Sequence, residues 1–315
     1  MHCQAFLLAA LIGFLTGCDR SPTPLVSPIE PVSAPGIPDP EAFQATSAWA
    51  YVEGLVAIRP RDAGTPGARR AAQWIYDTLA TFGYEPELDS FDDPIPGGTA
   101  TFHNVIARLP GTGSDIILLI SHFDTKNGIG PDFQGANDSG SSTGVLLELA
   151  RRFAGNRPGP SIWFAFVDGE ECRTAYGPHD GLHGSRRLAR QLRETDIAST
   201  VSAVIVLDMI GDRDLTVNVP ANGTPYLVAL AFRAATEAGI RPRFRLYDHA
   251  VLDDHVPFME AGMPAINLID FEYGSRPGAN DYWHTMEDSL DKLSVQSLEH
   301  IGRTTIRMIQ TLARP

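Results

Sequence analysis

The chain predicts a single α/β domain, with a central mixed, largely parallel β-sheet flanked by helices. Three apolar runs carry that expectation: ILLISHFD ending at Asp124, IWFAFVDGEE ending at Glu171, and VIVLDMIGD containing Asp208. Each is of strand length and lacks the alternation of a half-solvated strand, so each reads as a strand buried on both faces. The second observation is that such runs alternate with stretches of helical apolar spacing, which is the pattern of a sheet covered by helices. The third is size: 315 residues, 43% of them hydrophobic, supply one large core without requiring a second domain.

The elements follow in order. Residues 40–58 and 66–83 have helical spacing (Trp49, Val52, Leu55, Val56; Ala71, Trp74, Ile75, Leu79), separated by a Gly- and Pro-rich turn from Ala63 to Gly67. Strands are expected at 101–109 and 115–121. From Ser139 to Phe153 small residues give way to TGVLLELARRF, a helix whose positive dipole end would abut Asp138. A strand at 161–167, a loop at 168–183, a helix at 184–194 and a strand at 201–207 continue the alternation. A strand at 214–219, a helix at 224–238, a short helix from Asp254, a strand at 264–269 and a closing helix at 294–312 complete it. No internal repeat is visible.

The N-terminus reads as an export signal. Residues 1–17 carry the apolar stretch AFLLAALIGFLTG, too short to span a bilayer comfortably, and Cys18 follows at once. The run Leu15-Thr16-Gly17-Cys18 resembles a bacterial lipoprotein signal, in which the cysteine is lipidated and becomes the mature N-terminus. The expected chain is therefore an exported lipoprotein anchored to a membrane through Cys18, on the periplasmic or cell-surface side. Residues 18–38 are rich in Pro and Ser and read as an extended tether, with the catalytic domain at 39–315. Cys3 leaves with the signal and Cys18 takes the lipid. Cys172 then stands alone, with no disulfide expected and a packing role. A net charge of −13 without a basic cluster argues against nucleic acid as a partner.

In open α/β sheets the ligand crevice lies beyond the carboxyl ends of the strands. The polar residues that end the apolar runs should converge there with FQGANDSGS around Asp138 and NDYWHTMED around His284. One His, one Asp, a Glu pair, a second Asp and a second His make a ligand set that suits zinc. In the pair Glu170-Glu171, one carboxylate can bind metal while its neighbour reaches substrate as a general base. Gly135 and Gly140 let backbone approach an ion bound near Asp138.

The motifs His-x-Asp, GAND-S-G-S, DGEE, LDMIG, DDHVPF and WHT-M-E-D occur in this order over residues 100–295. Together they resemble the M28-type zinc aminopeptidase clan and, within it, the glutaminyl-peptide cyclotransferases. Four features favour that subfamily. DGEE is followed by an aromatic-bearing loop and DGLHGSRRLA, similar to the cyclotransferase D-S-L-Y-G-S-R, with Tyr176 where animal enzymes typically have Trp. Asp253-Asp254-His255 resembles the cyclotransferase DDH element, where peptidases more often have Ser-Asp-His. Trp283 precedes the metal histidine, and AINLIDFEYG before WHT is similar to the bacterial branch.

The resemblance implies zinc held by Asp138, Glu171 and His284, with Glu170 as acid/base and Asp254 and Asp208 as a carboxylate network beside it. Tyr176 and Trp283 would frame the substrate pocket, with Phe271, Tyr273 and Tyr282 as further candidates for its wall. His122 and Asp208 hold a second zinc in the aminopeptidases, so one ion is expected for a cyclotransferase and two for a peptidase. The substrate in either case is a peptide or protein with a free N-terminus. A cyclotransferase would convert N-terminal glutamine to pyroglutamate and release ammonia; the alternative is a zinc aminopeptidase that hydrolyses N-terminal residues. A surface-anchored binding protein on a catalytically dead fold is the third reading, disfavoured because every ligand position is filled.

Overall fold

The computed structural model describes residues 34–314. The expected signal segment, Cys18 and most of the expected tether lie outside them. The chain joins the domain slightly before Asp39, since Ala34 and Ile37 are already buried in the core.

Eight strands among the described residues form one sheet: β1 (Glu87–Ile95), β2 (Gly98–Leu109), β3 (Ile116–His122), β4 (Ser161–Val167), β5 (Val201–Asp208), β6 (Val217–Pro220), β7 (Phe244–Tyr247) and β8 (Ala265–Ile269). Their spatial order is β1-β2-β4-β3-β5-β8-β6-β7. The central strands β4, β3, β5 and β8 are mutually parallel. At one side β2 pairs antiparallel with β4 and β1 with β2; at the other, β6 runs antiparallel to β8 while β7 is parallel to β6. This is the mixed sheet expected, with all the antiparallel pairs toward its flanks.

Among the described residues seven α-helices cover it: α1 (Ala45–Val56), α2 (Pro66–Thr81), α3 (Ser142–Phe153), α4 (His183–Glu194), α5 (Pro225–Glu237), α6 (His255–Glu260) and α7 (Val295–Leu312). Period-two alternation sorts the strand side chains between two cores. Ile117, Leu119, Phe164, Ile205 and Leu268 face α1, α2, α3, α5 and α7 in the larger core. Leu118, Ile120, Ala165, Val204 and Val206 face α4 and α6 through Leu188, Leu192 and Phe258 in the smaller one. Burial on both faces explains why the central strands read as continuous apolar runs.

Two strands were not anticipated. β1 buries only Phe91 among nine residues, and β7 is a four-residue edge strand that buries only Phe244. Neither offers an apolar period to read. The helix expected from Ser139 begins at Ser142 instead, because residues 136–141 make a wide turn in which Asp138 and Ser139 leave helical φ/ψ. That turn frees the Asp138 side chain from a helix surface and lets it enter the crevice.

Candidate active site

The parallel strands end together. β3 terminates at His122, β4 stops three residues before Glu170, and β5 ends on Asp208. The turn before α3 supplies Asp138, and the loop between β8 and α7 supplies His284. Two groups of potential ligands result, each with its ligand atoms within 4.8 Å of one another: Asp138, Glu171 and His284, and His122, Asp138 and Asp208. Asp138 is shared. Its Oδ2 lies 3.3 Å from His284 Nε2 and its Oδ1 3.2 Å from His122 Nε2. His284 Nε2 also meets Glu171 Oε1 at 2.8 Å, and His122 Nε2 lies 3.3 Å from Asp208 Oδ1.

Backbone details show how firmly these groups are placed. His284 and Met209, which follows Asp208, both adopt positive φ, a costly choice for residues with a side chain that tends to mark functional sites. Gly135 sits at φ 50°, and a Cβ there would come within 2.6 Å of the Asp138 carbonyl oxygen. Close approach of the turn to itself therefore requires glycine.

Two carboxylates that no sequence pattern separates from the ligands act on the backbone instead. Asp124, fully buried, accepts the N–H groups of Gly169, Glu170 and Glu171 at 2.9, 3.2 and 3.1 Å, so it fixes the loop carrying the glutamate pair. Asp288 does the same for the Asp138 turn, accepting from Asn137 N at 2.7 Å, Asp138 N at 3.1 Å and the Tyr273 hydroxyl at 2.9 Å. Arg61 was also unforeseen: wholly buried, it donates to the carbonyls of Phe123 and Gly135 at 2.7 and 2.6 Å, tying the end of β3 to the same turn.

The site is rich in buried acid. Burial lifts Glu170 well above the usual carboxylate range; Glu171, Asp253 and Asp254 add to the push and His122 opposes it. Burial likewise pushes Glu171 up to about 7, with Asp138 adding and His284 opposing. For Asp138 burial acts upward too, but hydrogen bonds and charge from His122 and His284 prevail and hold it well below its ordinary value. Burial disfavours a charged His284, yet Asp138 and Glu171 raise it to about 10.

A small pocket of about 100 Å³ opens over this cluster, lined by Asp138, Glu170, Glu171, Asp208, His284 and the aromatic rings of Tyr176, Phe271 and Trp283, among others. Tyr176 does more than form a wall, since its hydroxyl donates to Glu170 Oε1 at 2.8 Å. Trp283 stacks on His284 with ring centroids 4.0 Å apart. Asp253, rather than Asp254, lines the pocket, and its Oδ2 accepts from Asn267 Nδ2 at 2.5 Å. Asp254 lies fully buried, and its carboxyl is pushed up to about 7 by burial. Tyr273 is buried against Asp288 instead of lining the pocket, and Tyr282 packs edge-on against Tyr273. Cys172 is buried, with Lys126 Nζ 3.2 Å from its Sγ.

The donor set fits a divalent cation. Both ring nitrogens of His122, together with Glu171 Oε2 and Asp208 Oδ1, are buried without a hydrogen bond of normal geometry, although ion-pair partners stand 3.2–3.5 Å away. Buried polar atoms are ordinarily satisfied, and convergent imidazole and carboxylate groups in this state are what zinc ligands look like without the ion. A cation would also reverse the upward push on the carboxylates. Because Asp288 orients Asp138 through its backbone, Asp288→Asn places an amide donor against groups that already donate. We expect it to weaken zinc binding by about 10–100-fold, the usual cost of losing an outer partner of a ligand. Competition with a chromophoric chelator would measure this, and unchanged affinity would refute the positioning role.

The sequence matches the profile of peptidase family M28 over residues 104–309. The chain belongs to peptidase family M28. Among curated M28-related proteins it is 28% identical to the glutaminyl-peptide cyclotransferase of Bos taurus over 279 residues, which cover 76% of this chain and 75% of that one. Among solved structures it resembles the glutaminyl cyclase of an Acidobacteriales bacterium, with 33% identity, TM-score 0.81 and coverage of 91% and 98% of the two chains. A Zn-dependent exopeptidase from Parabacteroides distasonis is also similar, at 26% identity and TM-score 0.77 over 89% and 100%. This M28 chain is therefore an enzyme-type domain whose similar proteins include glutaminyl cyclases from animals and bacteria.

Proposed function

We propose that the protein is a zinc-dependent glutaminyl-peptide cyclotransferase, which converts the N-terminal glutamine of peptides to pyroglutamate. The carrying observation is the pocket: at about 100 Å³ and walled by Tyr176, Phe271 and Trp283, it is far below the ~300–1,000 Å³ of sites that hold a whole small ligand. It suits one compact uncharged side chain folded back on its own amine. The similar glutaminyl cyclases support the same reading.

Asp138, Glu171 and His284 would hold the zinc, which when bound polarises the side-chain carboxamide. The chain's residues do the rest. The aromatic walls hold the glutamine side chain curled, removing an entropic barrier to ring closure. The α-nitrogen forms a bond to the carboxamide carbon, the bond from that carbon to its amide nitrogen breaks, and ammonia leaves; no water is consumed. Glu170 takes the proton from the α-amine and returns it to the departing nitrogen. Burial raises the affinity of its carboxyl for a proton and a bound cation would oppose that rise, a balance that suits a group which takes up a proton and gives it back. The Tyr176 hydroxyl fixes the carboxylate's orientation.

The aminopeptidase reading rests on the second ligand group, His122, Asp138 and Asp208, which could place a further ion. We also infer from the Cys18 pattern that the enzyme works outside the cytoplasm on a lipid anchor, where its peptide substrates are exported ones. Dialysis against a strong chelator should abolish ammonia release from a Gln-peptide, and one equivalent of zinc per chain should restore it. Persistence of activity after complete metal removal would contradict the zinc assignment, and a requirement for two equivalents would favour the peptidase.

A further inference from the structure

A second concavity lies beside the inner pocket. It is a groove of about 420 Å³ whose lining includes Arg245, Leu246, Tyr247, His249, Phe271 and Glu272. Phe271 lines both spaces. Through it runs an aromatic series that ends at the ligand histidine: Tyr247 lies 5.5 Å from His249 and 5.7 Å from Phe271, Phe271 lies 6.4 Å from Trp283, and Trp283 stacks on His284. Consecutive rings stand 6.4 and 5.7 Å apart, so one extended peptide leaving the inner pocket at Trp283 passes over Phe271 toward Tyr247.

Three further features indicate what the groove accepts. β7, which supplies Arg245, Leu246 and Tyr247, is the outermost strand, and no described strand pairs with its far edge. Such an edge offers backbone donors and acceptors to an extended peptide. Leu246 is 57% exposed, an apolar side chain in open water within a groove that already presents aromatic faces. Arg245 Nη1 and Glu272 Oε1 pair at 2.8 Å, so these two charges largely cancel, while Asp248 adds a carboxylate to the lining. The lining thus favours apolar or aromatic side chains and disfavours acidic ones.

We propose that this groove is a subsite for the peptide chain beyond the N-terminal residue, with residue two passing over Phe271 and an aromatic or large apolar residue three resting against Tyr247 and His249. The inference deepens the cyclotransferase reading and rests on it for the identity of residue one. It makes the enzyme selective for peptides with a bulky third residue, and not merely for N-terminal glutamine.

The test separates the two claims. Binding of the products pyroglutamyl-Ala-Phe-amide and pyroglutamyl-Ala-Gly-amide to the zinc-loaded chain is measured by calorimetry, and turnover of the corresponding Gln-peptides is followed in parallel. The Phe peptide should bind about three- to tenfold more tightly, the range expected for one aromatic contact, and kcat/KM should favour it by a similar factor. Tyr247→Ala should bring both ratios close to one, and His249→Ala should reduce them. The ratio is the readout, so a general loss of rate in a variant does not imitate the result; if Tyr247→Ala fails to fold, His249→Ala, on an exposed residue, decides. Equal binding of the two peptides, or a preference that survives both substitutions, overturns the subsite. Absence of turnover on every Gln-peptide would instead overturn the cyclotransferase reading, while the binding ratio would still decide the groove.

Discussion

Glu170→Gln should reduce turnover by at least ~10²–10⁴-fold, the range for loss of a positioned general base, and leave zinc content unchanged. The substitution keeps the side chain's size. It keeps an oxygen able to accept from the Tyr176 hydroxyl, which now donates to Oε1 at 2.8 Å, and it leaves untouched the three N–H bonds by which Asp124 fixes the loop. What it removes is the capacity to accept a proton. The proposed ligands are Asp138, Glu171 and His284, so zinc measured by mass spectrometry should stay at the wild-type level. Near-normal turnover would mean that the proton moves by another route, and a zinc-depleted variant would mean that Glu170 is itself a ligand.

His284→Ala should lose zinc and activity together. Its Nε2 faces both Asp138 Oδ2 and Glu171 Oε1 at 3.3 and 2.8 Å, so removing the imidazole takes away one of three ligands and leaves two buried carboxylates without their cationic partner. The affinity cost should exceed the ~10–100-fold typical of an outer partner. The histidine lies on the loop between β8 and α7, outside the regular elements, so the fold should persist. Thermal unfolding with added zinc separates the two effects. The wild type should gain stability as zinc rises, by about 2.7 kcal/mol at a hundredfold excess over Kd, whereas the variant should gain little at the same concentration. A variant with full zinc and normal zinc stabilisation would remove His284 from the ligand set.

Much of this arrangement was legible because the chemistry lies where strands stop. β4 was expected at 161–167 and spans those residues; β3 and β5 fall within a residue or so of expectation, since strands buried on both faces advertise themselves as unbroken apolar runs. β1 and β7 were invisible for the opposite reason: edge strands mostly in water carry no pattern that burial imposes. The roles of the acids divide in the same way. Asp124, Asp138 and Asp288 are the same residue type in similar motifs, and only geometry shows that one points at the cation site while the others hold backbone. Asp253 and Asp254 are neighbours in sequence and both buried, but only the first lines the pocket. The Tyr176 phenol was expected as a wall; its bond to Glu170 depends on the loop returning past Gly181, where a Cβ would come within 2.5 Å of the ring.

The small aromatic pocket above the ligand cluster should cyclise N-terminal glutamine and leave peptide bonds intact. The most direct test incubates the zinc-loaded chain with a Gln-initiated and a Leu-initiated peptide of otherwise identical sequence and follows both by mass spectrometry. The Gln-peptide should lose the mass of ammonia and keep its length, while the Leu-peptide should be unchanged. Release of free leucine, with no loss of ammonia from the Gln-peptide, would contradict it and make the enzyme an aminopeptidase.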